Sequence, residues 1–345
     1  MKVLFLTPWY PSEKDAMSGL FVQKHVEAVR AQGVDVRVIF SQGWCDLWHQ
    51  WKALRREGWM PDVVQLNVIQ KQGLLALWLK KKYGIPYVIV EHWSGYLPEN
   101  GMFMAMSWLQ RKVYQYVARK AEMILTVSDR QAEAMRACGI ENERWGRIDN
   151  VVDEEFFNRP PTLSRREGVK TFLHVSCFDE RAKNVKGLLR AAKMLSEKRK
   201  DWKLVLVGTG VDYEEVREYA GSLEIPDGLL EWTGELTPRE VAERMHEADA
   251  FVLSSRYETY GVVLAEALAA GLPILSTPVG IAPEVADMLV PQEIAQNKAG
   301  KFAEFLEAIC FEPLEVRHHK AERFASETIG KRLIEVYDSC MHRDI

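Results

Sequence analysis

The chain of 345 residues has no long apolar run, no evident cysteine pair and little net charge. Its five cysteines, Cys45, Cys138, Cys177, Cys310 and Cys340, are odd in number, scattered, and without metal-ligand spacing. Neither a disulfide framework nor a zinc site is supported, and a reducing, cytoplasmic setting is expected. The opening MKVLFLTPWYP loses its apolar run at Thr7, too early for a signal-peptide core, and no later stretch is long enough to cross a bilayer. A soluble protein is therefore expected, with attachment to the inner face of a membrane left open. No Asp-x-Asp occurs anywhere, so a metal clamped by such a pair has no support. The net charge of −4 divides into +3 over residues 1–160 and −7 over the rest. That asymmetry allows an anionic partner for the first half, although ordinary surface scatter explains it equally well. No nucleic-acid partner is expected.

What is present is an alternation of short apolar runs with helix-length segments. KVLFL, VDVRVIF, DVVQLN, YVIVEH and MILTVS read as strands, with helical patterns such as GLFVQKHVEAVRAQG between them. This order predicts parallel βαβ units with right-handed crossovers. It is interrupted at NRPPTLSRREG (residues 158–168), which reads as a linker, and then resumes with TFLHVS, KLVLVG, LLEWTG, AFVLSS and LPILST. Two doubly wound domains follow, over 1–160 and 169–325. Ligands of such folds bind at strand carboxyl ends, so a cleft between the domains is the expected working site. The last helix (326–345) starts at Ser326 and carries one apolar stripe of Ile329, Leu333, Val336, Tyr337 and Cys340. It is expected to pack back on the first domain.

The most informative stretch is RYETYGVVLAEALAAG, residues 256–271, where Glu258 and Glu266 bracket the start of a helix. At roughly 100° per residue, eight helical residues return to within about 80° of the starting direction, so both carboxylates can border one site. The helix N-terminus at Tyr260, Gly261 and Val262 offers N–H groups suited to a phosphate, and Gly261 permits close approach. A phosphate cradle flanked by two hydroxyl acceptors suits a nucleotide sugar. Alone, two glutamates at this spacing are more simply a solvated helix face.

The wider sequence adds to this. SSRYETYGVVLAEALAAGLPILSTPVG resembles the donor-site motif of family-4 (group 1) glycosyltransferases, which have the α/β GT-B fold of two Rossmann-like domains. MKVLFLTPWYPS with Gly19 in the following loop, VIVEHWSGY, NVVDEEFF, HVSCFDERAKNVKGLLRAA, LVLVGTG and WTGEL extend the resemblance over nearly the whole chain. It implies retaining sugar transfer from a nucleotide-diphosphate sugar to a hydroxyl of a glycan or lipid-linked acceptor, without metal or other cofactor. By position, Glu266 matches the carboxylate on the ribose hydroxyls and Glu258 the one facing the transferred sugar. Tyr260, Gly261, Val262 and Gly19 match donor contacts, and His92 matches a histidine near the transferred sugar. Lys183 matches the lysine on the leaving diphosphate better than Lys186 does. Cys177 stands where many relatives have arginine, a loss Arg181 could offset; Val151 and Gly280 are smaller departures.

Other readings are weaker. Two carboxylates could serve a glycosidase, but a phosphate-binding helix end and a lysine have no purpose there. VGTGVDY has Tyr213 in place of a third glycine, a poor dinucleotide fingerprint. A non-catalytic sugar-binding protein fits the architecture without a secretion signal to go with it. Finally, Trp44, Trp48, Trp51 and Trp59 lie among Lys52, Arg55 and Arg56, and MFMAMSWLQRKVYQYVARK mixes aromatics with Arg111, Lys112, Arg119 and Lys120. These segments read either as core and acceptor groove or as basic amphipathic faces for an anionic membrane, with a slight preference for the second.

Overall fold

The computed structural model describes residues 1–13, 15, 17–157, 169–290, 304 and 320–341. Internal packing divides the chain into a unit of residues 1–151 with 323–345 and a unit of residues 152–322. The change of unit thus falls between Val151 and Val152, upstream of the expected linker at 158–168, which lies outside the described residues.

The first unit begins β1 (Lys2–Thr7), α1 (Leu20–Ala31), β2 (Asp35–Phe40), α2 (Trp44–Arg56), β3 (Val63–Asn67) and α3 (Gln72–Tyr83). It continues through β4 (Tyr87–Glu91), α4 (Met102–Ala105), α5 (Trp108–Lys120), β5 (Met123–Thr126), α6 (Asp129–Ala137) and β6 (Trp145–Arg147). The strands form one parallel sheet in the order β2-β1-β3-β4-β5-β6. β3 and β4 are buried along their whole length, as continuous apolar runs in a parallel sheet covered on both faces require. The final helix, here α14 (Ser326–Met341), packs on α1 and buries Ile329, Leu333, Tyr337 and Cys340. Gly330 makes the approach possible, since a Cβ there would stand 2.5 Å from the carbonyl oxygen of Ala28. The Tyr337 hydroxyl donates to Gln65 of β3, so the helix is fastened by a polar contact inside the core.

The second unit comprises α7 (Glu154–Phe157), β7 (Lys170–Val175), α8 (Glu180–Lys183), α9 (Val185–Lys198), β8 (Trp202–Val207), α10 (Tyr213–Ser222) and β9 (Leu230–Gly234). It closes with α11 (Pro238–Glu247), β10 (Ala250–Leu253), α12 (Val262–Ala269), β11 (Ile274–Ser276), α13 (Ala282–Val285) and β12 (Met288–Leu289). Its sheet is again parallel, ordered β12-β11-β10-β7-β8-β9. No helix among the described residues is long and apolar enough to cross a membrane.

The tryptophan segment is where the structure corrects the sequence. Trp51 and Trp59 are core residues, 2% and 5% exposed. Trp48 is half-buried and meets Trp78 of α3 edge-on, with ring centroids 5.0 Å apart. Trp59 donates its indole N–H to Asp35 at 2.8 Å. Helix α2 therefore turns Leu47 and Trp51 inward, leaving Trp44 as its exposed tryptophan, and offers no continuous aromatic face to a membrane.

Candidate functional site

Lys183 ends the short helix α8, and its ammonium donates to Glu258 Oε1 at 2.6 Å. The same carboxylate oxygen accepts the Ser255 hydroxyl at 2.7 Å. Burial alone would lower the Lys183 pKa, but Glu258, Cys177 and Asp179 together outweigh it and the net shift is upward. Lys183 is thus a firmly held cation, 16% exposed, beside a carboxylate 12% exposed.

The loops carrying this pair are fastened to each other. The Arg256 N–H donates to the carbonyl of Ala182 at 2.7 Å, and its guanidinium reaches Asn184 Oδ1 at 2.8 Å and the Glu180 carbonyl. Asn184, in the left-handed region at φ 51°, donates to the Ser254 carbonyl at 3.2 Å. The Ser254 hydroxyl donates to the carbonyls of Lys183 at 3.0 Å and Asn184 at 3.1 Å. Sequence reasoning passed over Arg256, Asn184 and Ser254 because polar residues in two distant loops carry no periodic signal.

After Glu258 the chain passes the buried Tyr260 and turns at Gly261, where φ is 82°, to start α12. No side chain caps this helix, and an uncapped helix N-terminus is where free N–H groups can receive an anion. Gly280 packs behind: a Cβ there would lie 2.1 Å from the Tyr260 carbonyl oxygen, which accepts the Ile281 N–H at 2.9 Å. Glu266 is half-buried and one turn into α12. Because Gly261 is left-handed and the helix begins only at Val262, the eight residues from Glu258 to Glu266 are not one helical run. The angular argument drawn from their spacing therefore fails.

Lys186 is committed elsewhere. Its ammonium pairs with Glu215 and lies 5.4 Å from the Tyr219 ring centroid, and its backbone N–H donates to Glu180 at 3.0 Å. Cys177 and Arg181 are both exposed, and Cys177 is among the groups that raise the Lys183 pKa. The VGTG glycines serve backbone packing. A Cβ on Gly208 would lie 2.0 Å from the Ser176 carbonyl oxygen, and one on Gly210 2.5 Å from the Phe178 nitrogen.

In the first unit, His92 directly follows β4 and is buried. Its ring lies 4.3 Å from Phe21 and 5.7 Å from His25, and its Nε2 has no hydrogen-bond partner. Burial, with His25 nearby, lowers its pKa well below the ordinary value, so the ring is neutral. His25 donates its Nε2–H to the Asp149 carbonyl at 3.1 Å, and burial lowers its pKa to about 4. Glu91, which sequence reading treated as part of the strand, is fully buried. It accepts N–H bonds from Ile69 (3.1 Å), His92 (3.0 Å) and Trp93 (2.9 Å), and burial raises its pKa to about 7. It holds the β3 and β4 carboxyl ends together around His92. Gly19 caps α1 at φ 69°, where a Cβ would lie 2.3 Å from the Trp9 carbonyl. Val151 is buried in the first unit's core, which gives an apolar reason for its place after Asn150.

Two parallel α/β units of this kind define the GT-B class of glycosyltransferases. The family model described as Glycosyltransferase Family 4 matches residues 1–156, and that described as Glycosyl transferases group 1 matches residues 157–325. The chain belongs to this family of group 1, family-4 glycosyltransferases. It is 27% identical over 299 residues to alpha-monoglucosyldiacylglycerol synthase of Streptococcus pneumoniae, covering 79% of this chain and 66% of that protein. Sucrose-phosphate synthase of Thermosynechococcus elongatus has the same fold, with a TM-score of 0.76 at 18% identity over 98% of each chain. HepE of Anabaena, solved with UDP and glucose, matches with a TM-score of 0.71 at 19% identity, over 98% of this chain and 100% of that one. The chain spans 36% to 66% of the length of the first curated relatives it matches.

Proposed function

We propose that the chain transfers a hexosyl-type sugar, with retention, from a nucleotide-diphosphate sugar to a hydroxyl of a glycan or lipid-linked acceptor, as a peripheral enzyme of glycolipid or polysaccharide assembly. The observation that carries this reading is the pairing of Lys183, at the end of α8, with Glu258, in the loop leading to the uncapped N-terminus of α12. When the bond between the anomeric carbon and the diphosphate breaks, negative charge collects on the departing phosphate. A fixed ammonium and a helix N-terminus supply preorganised positive potential for that charge, the device by which such sites lower barriers. On this reading no metal is needed, Glu258 faces the sugar, Glu266 holds the ribose hydroxyls, and His92 is assigned to the transferred sugar. The names of two relatives support the substrate class: an alpha-monoglucosyldiacylglycerol synthase, and a neighbour solved with UDP and glucose. Incubation with UDP-, GDP- and ADP-sugars and a panel of hydroxyl acceptors, followed by assay of released nucleoside diphosphate, tests the reading. Release with none of them would reject it, and an inverted anomeric configuration in the product would reject retention.

A further inference from the structure

Among the described residues, five of the fourteen exposed large apolar side chains lie between Met102 and Tyr116. Single exposed apolar residues need no explanation, but a cluster does. Met102 and Met104 are 53% and 60% exposed, and Trp108 and Leu109 are 67% and 66% exposed. Nor is this a frayed end. Ser107 and Gln110 form a capping box that fixes the first turn of α5, so the helix is held rigid up to the residues that project.

The same surface is positively charged. Residues 101–121 contain Arg111, Lys112, Arg119 and Lys120 and no acidic residue. None of the four cations makes an ion pair among the described residues; Arg119 and Lys120 instead approach the ring of Tyr116 at 6.0 and 5.9 Å. At roughly 100° per residue, Trp108, Leu109, Lys112, Tyr116, Arg119 and Lys120 fall within about 120° of one another, a single stripe. The inner side of α5 is defined by the buried Val117 and Ala118. Beside the stripe lies a cavity of ≈ 290 Å³ lined by Lys112, Gln115, Tyr116, Arg119, Gly139 and Glu141. Gln115 ties it to the loop after α6 through a 3.1 Å bond to the Cys138 carbonyl.

We propose that this face of α4 and α5, and not the tryptophan segment of α2, docks the protein on an anionic phospholipid surface. The proposal rests on the reading above only in giving that surface a reason, the lipid-linked acceptor. Trp108, Leu109 and the two methionines enter the interface. Lys112 and Arg119 meet the phosphates, with the cavity between them receiving a headgroup whose hydroxyls Glu141 accepts. An apolar front followed by a basic rear on one stripe is the pattern of an interfacial helix. Charge complementarity selects an anionic surface over a neutral one.

Co-sedimentation with vesicles tests it. The wild-type protein should pellet with phosphatidylglycerol–phosphatidylcholine vesicles at low salt and remain largely in solution with pure phosphatidylcholine. Each basic residue is worth about fivefold in affinity at such a surface. Lys112→Gln with Arg119→Gln should therefore cost about twenty- to thirtyfold, and raised salt should act in the same direction. Trp108→Ser with Leu109→Ser should reduce binding on every anionic vesicle, whereas Trp44→Ser should not. These side chains are exposed, so circular dichroism should be unchanged. Failure of the wild type to pellet, equal pelleting with pure phosphatidylcholine, or wild-type binding by either double variant overturns the proposal. Calorimetric titration of UDP and GDP into the same proteins separates the two readings. Intact nucleotide binding without vesicle binding rejects docking alone, and vesicle binding without nucleotide binding rejects the transfer reading alone.

Discussion

Lys183 and Glu258 are separated by 75 positions in the chain and meet at 2.6 Å, the ammonium held by a carboxylate that also accepts Ser255. Each holds the other's charge where both side chains are largely buried. Replacing either alone strands the partner's charge, and the site loses both its cation and its electrostatic balance.

Lys183→Ala should therefore lower the transfer rate by about 10²–10³, the scale for removing one group that stabilises developing negative charge. Lys186→Ala breaks a largely exposed pair with Glu215, worth about 0–1 kcal/mol, and should leave the rate near wild type. Single-turnover rates of the two variants decide it; equal losses would mean that the wrong lysine faces the diphosphate.

If Lys183 and the α12 N-terminus together carry the leaving-group charge, EDTA should not change the rate. Activity abolished by EDTA and restored by Mg²⁺ or Mn²⁺ would contradict metal-free stabilisation.

Glu266 lies one turn into α12. With the nucleotide's ribose as its partner, Glu266→Gln should weaken nucleoside-diphosphate affinity about tenfold or more, since hydrogen bonds to a charged acceptor contribute about 1.5–3 kcal/mol. Isothermal titration at one pH measures this, and unchanged affinity would remove Glu266 from the ribose.

The alternation of apolar runs made ten of the twelve strands among the described residues legible, because buried parallel strands are continuous runs of Val, Ile, Leu and Phe. The two missed were β6, three residues with a central glycine, and β12, two residues long, both at sheet edges and too short for any pattern. The end of α12 was legible as Gly271, but its start was not: Gly261 read as the first helical residue, whereas at φ 82° it is the left-handed cap before Val262. The clamp of Arg256 on Glu180 and Asn184 was not legible either, because it joins side chains more than seventy positions apart. The fate of the tryptophans was equally hidden. Trp44, Trp48 and Trp51 stand at i, i+4 and i+7 on one face of α2, and only the packing of that face against Trp78 shows that it turns inward and not to a surface.

That selection has a measurable consequence. Trp51→Ala should cost about 3–5 kcal/mol of unfolding free energy, the usual loss for a large core aromatic. Trp44→Ala, at 43% exposure, should stay within about 0.5 kcal/mol of wild type. Chemical denaturation of both reads the difference, and similar values would return Trp51 to the surface.

Acid should weaken the fold through its buried imidazoles. His25 and His174 are lowered by burial from 6.5 to about 4, and His92 is also shifted down. Between those values the unfolded chain binds protons that the folded chain refuses. Stability is therefore fully present above pH 6.5 and falls as pH drops toward 4, by up to about 1.4 kcal/mol per pH unit for each ring. Glu91 works the opposite way. Its pKa is raised by burial from 4.5 to about 7, so in that window the folded chain holds a proton the unfolded chain has released, and stability rises as pH falls. One carboxyl offsets about one imidazole, which leaves the net effect in the direction of acid weakening. The thermal midpoint should fall between pH 6.5 and 5, and Glu91→Gln, which removes the compensating group, should make that fall steeper. A level wild-type profile would mean that the imidazoles are charged in the folded protein. An unchanged slope in the variant would mean that Glu91 is already ionised at pH 5.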